Sequence, residues 1–289
     1  MKNGCATNTL SVHPFSVAMC VYAGDNAEWF EQALQSITIN QTVKPDEIVV
    51  VVDGPVPKTI RNVIHKYMEI SAQESFCFKP VWLEKNRGLG NALRIAVSHC
   101  KYEIIARMDS DDIARRDRFK TQLEILHLNP HIDVVGGDIS EFIGDKHNVV
   151  GKRTLPAADK EIKRYAKRRC PFNHMTVMYR KTAVMKAGGY LDWFWNEDYY
   201  LWIRMQERGM VFANTGTVLV DVRVGEGMYR RRGGWKYYKS EIRLQKYMLN
   251  HKLIGYGTYL INCCKRFIFQ ILFTNQMREW AYKRLIRSK

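Results

Sequence analysis

Residues 47–52 read Glu-Ile-Val-Val-Val-Val, an unbroken β-branched run followed directly by an aspartate, a glycine and a proline. No face of such a run is polar past its first residue. A strand built from it must be covered on both sides, the condition of an interior strand in a parallel sheet. The flanking segments supply the covers. Residues 28–39 place Trp29, Ala33, Leu34 and Ile37 on one helical face, and residues 58–70 do the same with Ile60, Val63, Ile64 and Tyr67. Residues 15–22 and 104–108 are further apolar runs and 80–83 a shorter one; a helix is predicted from the end of Asn86-Arg87-Gly88-Leu89-Gly90 to His99. The order is βαβαβαβ with short connections, which predicts an α/β fold: a three-layer α/β/α, Rossmann-like, mostly parallel sheet.

Open α/β sheets bind ligands at the carboxyl ends of their strands, and here those ends are acidic. The loop after the first strand holds Tyr22 to Asp25, the second ends at Asp53-Gly54, and the fourth runs into Asp109-Ser110-Asp111-Asp112. Asp109 and Asp111 form a D-x-D pair suited to a divalent cation that keeps positions open for phosphate oxygens. The plainer reading is an acidic turn, with Asp112 capping a helix from Arg115 onward. No G-x-x-x-x-G-K-[ST] tract is present, and Gly88-x-Gly90 is too short for a dinucleotide fingerprint.

Hydrophobic residues at 46% and charged residues at 26% exclude a disordered chain. Seven cysteines, an odd number with no C-x-x-C pair, fit a reduced, cytosolic setting, and the first ten residues hold no apolar leader. The net charge of +16 is concentrated at one end: residues 230–289 hold 15 Lys and Arg against Glu241 and Glu279. Residues 253–273 are apolar but interrupted by Asn262, Lys265, Arg266 and Gln270. A central charged pair disfavours a spanning helix. The pattern predicts basic amphipathic helices lying on an anionic membrane surface, with a packed helical hairpin as the alternative.

Four segments together resemble the family 2 glycosyltransferases of the GT-A fold. They are residues 21–42, the P-D-E-I-V-V-V-V-D-G run at 45–54, N-R-G-L-G-N-A-L at 86–93 and I-A-R-M-D-S-D-D at 105–112. Gly188-Gly189-Tyr190 followed by Asn196-Glu197-Asp198 extends the match to about 180 residues in the family's order. Asp-Ser-Asp-Asp with the later M-Y-R-R-R-G-G tract is similar to bacterial enzymes of exopolysaccharide, capsule and O-antigen assembly.

The resemblance implies a GT-A catalytic domain over residues 1–229, with a nucleotide-sugar half at about 12–112 and an acceptor half at about 113–229. The basic helical extension is then 230–289. It implies donor contacts from Tyr22, Asp53, Asn86, Arg87, Asp109 and Ser110, and Asp111 as principal ligand of Mn²⁺ or Mg²⁺. Asp198 is the expected catalytic base, since a carboxylate suits an alcohol nucleophile. Glu197 and Asp198 also suit a helix N-terminus on electrostatic grounds alone. His174, Trp195, Glu197 and Arg231 are candidate acceptor or diphosphate contacts. The implied reaction is metal-dependent, inverting transfer from a nucleotide-sugar, with UDP the expected nucleotide, to a lipid-linked saccharide at the cytoplasmic membrane face. A sugar-phosphate nucleotidylyltransferase shares this architecture, but its first loop normally carries cations, and Tyr-Ala-Gly-Asp-Asn-Ala-Glu has none. A nucleic-acid or membrane binder driven by the basic tail is the non-enzymatic alternative. No zinc-finger spacing or aromatic RNA-binding tract supports nucleic acid as the partner.

Overall fold

The computed structural model describes residues 13–225 and 233–278. Its first half alternates β1 (Phe15–Val21), α1 (Ala27–Ile37), β2 (Glu47–Val52), α2 (Lys58–Ser71), β3 (Cys77–Trp82), α3 (Leu89–His99) and β4 (Ile104–Met108). These four strands pair in parallel in the order β3-β2-β1-β4. Every residue of β2 is buried, as its β-branched run requires. Strand β3 begins at Cys77, three residues before the apolar run at 80–83, and lies at the sheet edge. An edge strand tolerates Pro80, which has no N–H to give.

The second half turns the sheet into a mixed one. It comprises β5 (Ile113–Ala114), α4 (Arg118–Leu128), β6 (Val134–Phe142), β7 (Val149–Arg153), α5 (Asp159–Ala166), β8 (Met178–Arg180), α6 (Lys181–Lys186), α7 (Glu197–Glu207) and β9 (Phe212–Arg223). Strand β8 joins β4 and β6 antiparallel, β9 runs parallel to β6, and β5 pairs antiparallel with β9. One apolar cluster lies on the face of α1 and α2, and a second on the face of α3, α6 and α7. Two helices follow: α8 (Trp235–Asn250) and α9 (Tyr256–Phe267), the latter continued by a π-helical turn, Ile268–Leu272. Leu244, Met248 and Ile254 pack with Tyr199 and Ile203 of α7 in a third cluster.

Two sequence expectations are corrected. In α1 the buried aromatic is Phe30, whereas Trp29 is 38% exposed, with the Arg223 guanidinium 4.7 Å from its ring centroid. The helix after the aspartates begins at Arg118 rather than Arg115. Asp112 is not its cap: the carboxylate accepts the Arg223 main-chain N–H at 2.9 Å, beside the β5–β9 pairing.

Register decides where the site forms. Val21 lies opposite Val52, and Met19 opposite Met108, so β1, β2 and β4 finish close together at one edge. There Gly54 has φ +89°, and a Cβ on it would stand 2.6 Å from the Asn86 nitrogen. Both conditions favour glycine. Gly54→Ala is expected to cost about 1–3 kcal/mol by displacing the Asn86–Gly88 loop. Urea unfolding of the variant measures the effect.

Candidate active site

A cavity of about 1150 Å³ opens at this edge and reaches the C-terminal helices. Its lining includes Tyr22, Asp25, Asp53, Asn86, Asp109, Ser110 and Asp111 from the first half of the chain and His174, Trp195, Glu197 and Asp198 from the second. Of the residues singled out in the sequence, Arg87 is not part of the lining. Its side chain is exposed, and its main-chain N–H donates to Asp53 Oδ1 at 2.7 Å. Arg231 lies outside the described residues.

The first acidic group is held by main-chain donors. Asp53 accepts from Arg87 N and, at 3.0 Å, from Gly88 N, so the carboxylate of one strand end fixes the loop after the next strand. Asp25 accepts from Tyr22 N at 3.0 Å and from the Ser110 hydroxyl at 2.9 Å. This joins the β1 and β4 loops, and burial pushes Asp25 up to about 6. Ser110 is thereby a strut between two acidic loops.

Carboxylate oxygens of Asp109, Asp111 and Asp112 all lie within 4.8 Å of one another. Burial, then the charge of Asp109, pushes Asp111 up to about 6. Burial, then Asp111, pushes Asp112 well above the carboxylate range. The counter-charges are internal. Arg107, fully buried in β4, meets Asp109 at 2.5 Å. Arg118, also buried, donates to the Arg107 carbonyl at 2.6 Å. Arg223 directs its guanidinium to the Asp111 and Gly144 carbonyls and the Gln32 side chain rather than to a carboxylate. Two buried guanidiniums thus face four clustered carboxylates, counting Asp25. The raised pKa values register burial first and the repulsion between neighbouring carboxylates second. An oxygen-rich, net-anionic cluster at a cavity wall fits a hard divalent cation.

The first turn of α7 also lines the cavity. Glu197 and Asp198 are its leading acids. Burial, followed by the Asp198 charge, lifts Glu197 to about 8. Burial also raises Asp198, against the lowering effects of the Tyr199 N–H, the Cys170 thiol and the positive charge of Arg107 and Arg153. The Cys170 thiol donates to Asp198 Oδ2 at 3.4 Å. Trp195, at φ +58°, adopts a left-handed conformation uncommon for a bulky residue. Helix α8 braces this loop: Ser240 donates to the Phe194 carbonyl at 2.6 Å and accepts from Asn196 Nδ2 at 3.1 Å. His174 Nε2 meets the Tyr190 hydroxyl at 2.9 Å. Burial, and then Arg107, hold the His174 imidazole well below its ordinary pKa, hence neutral.

Several lining residues escaped the sequence reading. Arg168 and Arg169 follow α5, and Lys265 comes from α9; the Lys-Arg-Arg run at 167–169 was a usable signal. Three successive carbonyls at the end of α5 are tied down: Ala166 by the Tyr199 hydroxyl at 2.5 Å, Lys167 by Asn262 at 2.9 Å and Arg168 by Arg266 at 3.2 Å. Such carbonyls lack helical partners of their own. Their capture fixes the backbone from which the two arginines project.

A family model, glycosyl transferase family 2, matches residues 16–189. An uncharacterized glycosyltransferase of Haemophilus influenzae is 37% identical over 274 residues, covering 95% of this chain and 99% of that protein. An Escherichia coli protein named UDP-Gal:alpha-D-GlcNAc-diphosphoundecaprenol beta-1,3-galactosyltransferase is 36% identical over 279 residues, covering 94% and 96%. Among solved structures, S. aureus TarS 1–349 in complex with UDP-GlcNAc superposes with a TM-score of 0.65 at 18% identity, covering 93% of this chain and 75% of that one. That likeness shows the GT-A fold. Sheet, acidic strand ends and relatives agree: the chain belongs to glycosyl transferase family 2 and is a glycosyltransferase.

Proposed function

We propose that the enzyme transfers a sugar, with inversion, from a UDP-sugar to a hydroxyl of a lipid-linked saccharide during bacterial surface-polysaccharide assembly. One observation supports the reading: Asp109, Asp111 and Asp198 line the same cavity. Donor diphosphate and acceptor hydroxyl can then meet between them. The E. coli relative's name supplies a parallel for nucleotide and acceptor, a UDP-sugar and a diphosphoundecaprenol-linked sugar. In this reading residues 12–112 serve the donor and 113–229 the acceptor, while the extension from 230 works at the cytoplasmic membrane surface.

The nucleoside enters over β1 and β2, where Tyr22, Asp53 and Asn86 offer a ring, a carboxylate and an amide to base and ribose. Asp111, assisted by Asp109, would hold Mn²⁺ or Mg²⁺. When bound, the cation supplies positive charge against the departing diphosphate. Arg107 orients Asp109 through their ion pair. Ser110, fixed to Asp25, sets the spacing of the two flanking aspartates.

In the same cavity Asp198 accepts the proton of the acceptor hydroxyl as its oxygen bonds to the anomeric carbon and the carbon–phosphate oxygen bond breaks. The nucleoside diphosphate leaves with the electron pair. Burial raises Asp198 and so increases its basicity, which favours proton uptake late in the transition state. Glu197, pushed up to about 8, is mainly protonated at neutral pH and can donate a hydrogen bond to the acceptor. Trp195, 42% exposed in the cavity, offers a stacking face to a sugar ring. His174, neutral and tied to Tyr190, borders the acceptor.

The test is transfer from UDP-sugars, with Mn²⁺, to a synthetic saccharide diphosphate carrying a long alkyl chain. Proton NMR then reads the anomeric configuration of the product. The expected product has the configuration opposite to the donor, and EDTA suppresses its formation. A product retaining the donor's configuration, or undiminished transfer in EDTA, would count against the mechanism.

A further inference from the structure

Helix α9 and the π-helical turn after it carry an amphipathic pattern turned inside out. The buried side chains are polar: Asn262 and Gln270 are 3% and 8% exposed. Asn262 donates to the Lys167 carbonyl and to Gln245 Oε1, and Arg266 pairs with buried Glu241. The outward side chains are apolar. Tyr256, Leu260, Ile261, Ile268 and Leu272 are between 42% and 65% exposed. Trp235 of α8, 57% exposed, extends the patch through an edge contact with Phe267. A helix that simply covers a globular core shows the reverse arrangement. Singly exposed leucines need no explanation, but a contiguous patch of this kind marks an interaction surface.

The rim identifies the partner. Lys239, Lys252 and Lys265 are exposed, and no carboxylate pairs with them among the described residues. Of the two acids in residues 230–289, Glu241 is consumed internally by Arg266. Exposed aliphatic and aromatic side chains on a segment that also carries exposed, uncompensated lysines complement an anionic lipid interface, which offers acyl chains and negative headgroups together. A nucleic acid offers the charge but no cover for the aliphatic face.

We propose that α9, its π-helical continuation and Trp235 form the membrane-docking face of this enzyme, seated on an anionic bilayer. The same helical segment lines the active-site cavity through Asn262, Lys265, Phe269 and Gln270. Docking therefore sets the cavity mouth at the headgroup level. The inference rests on the lipid-linked acceptor of the proposed function: an acceptor held in the bilayer reaches Arg168, Arg169 and Lys265 with its diphosphate while its lipid stays in the membrane.

The experiment is co-sedimentation of the full chain with phosphatidylcholine vesicles and with vesicles containing 25% phosphatidylglycerol, compared with Leu260→Glu/Ile268→Glu. UDP titration with Mn²⁺ on both proteins reports the fold and the donor site. The parent is expected to bind the anionic vesicles in a salt-sensitive manner and neutral vesicles weakly. The double variant is expected to lose at least about tenfold in partition coefficient, with unchanged UDP affinity. Equal vesicle binding by parent and variant would overturn the docking face and leave the basic tail as a purely electrostatic tether. No vesicle binding by the parent, with salt-sensitive retention on duplex DNA, would overturn it in favour of nucleic acid. Vesicle binding that the variant loses, in a parent that does not bind UDP, would leave the face standing while the donor-site reading fell.

Discussion

Asp198→Asn is expected to lower kcat by about 10³, within the range general-base catalysis supplies, and to leave UDP affinity within about twofold. The amide keeps the shape of the carboxylate and its acceptor oxygen for the Cys170 thiol, but it cannot take a proton. Asp198 is carried by α7 and is not one of the three clustered carboxylates Asp109, Asp111 and Asp112, so the proposed function expects binding and turnover to separate. The pH profile of the parent carries the same information. A general base works ionised, so activity falls as pH drops through its pKa. Burial raises Asp198, and Glu197 is pushed up to about 8. The acid limb of kcat/KM should therefore lie above the ordinary carboxylate range. Steady-state rates from pH 5 to 9 would locate it. Full turnover in Asp198→Asn together with loss in Glu197→Gln would transfer the base assignment to the neighbouring residue.

Arg107→Met should destabilise the protein by about 2–3 kcal/mol in EDTA, below the usual cost of halving a buried ion pair. The reduction has two sources. Asp109 is 29% exposed on its side chain and keeps some solvation, and the Arg107 Nε and Nη1 atoms have no hydrogen-bond partner to lose. The larger consequence is electrostatic. Arg107 opposes the upward shifts of Asp111, Asp112, Glu197 and Asp198. Without it the acidic edge holds one more uncompensated charge, which a divalent ion can offset. Urea unfolding in EDTA and in Mn²⁺ should show a smaller penalty with the ion. Arg107→Lys should recover only part, because an ammonium does not reproduce the guanidinium's planar reach. An identical penalty with and without Mn²⁺ would make Arg107 a packing element alone.

What the sequence made legible follows from how local each signal is. The β2 run, its flanking helices and the acidic strand ends are written in contiguous residues, and the parallel register then brings Asp53 and Asp109 to one edge. Asp112 was misread because its partner is remote. Asp-Asp before a basic stretch resembles a helix start, but the two-residue strand β5 exists only through pairing with β9, about a hundred residues later. Trp29 was misplaced by one helical position, since periodicity cannot tell which of two adjacent aromatics turns inward. Arg107 was visible as a cation inside an apolar strand, yet its ion pair depends on the bend of the loop after Met108. In α9 the segregation of polar and apolar residues was plain. Which side faced the protein depended on the Lys167 and Arg168 carbonyls, supplied by a loop far away in the chain.

The most direct test of the donor site is isothermal titration of UDP, GDP and CMP into the parent and into Asp111→Ala, each with Mn²⁺ and with EDTA. The expected result is binding of UDP by the parent in Mn²⁺, weakened by at least about 100-fold in EDTA and in the variant. That size is what the proposed role of Asp111, holding a divalent cation that would offset the diphosphate charge, implies. UDP binding by Asp111→Ala as tight as by the parent, or no nucleotide binding by folded parent protein, would contradict the placement of the donor at the acidic strand ends.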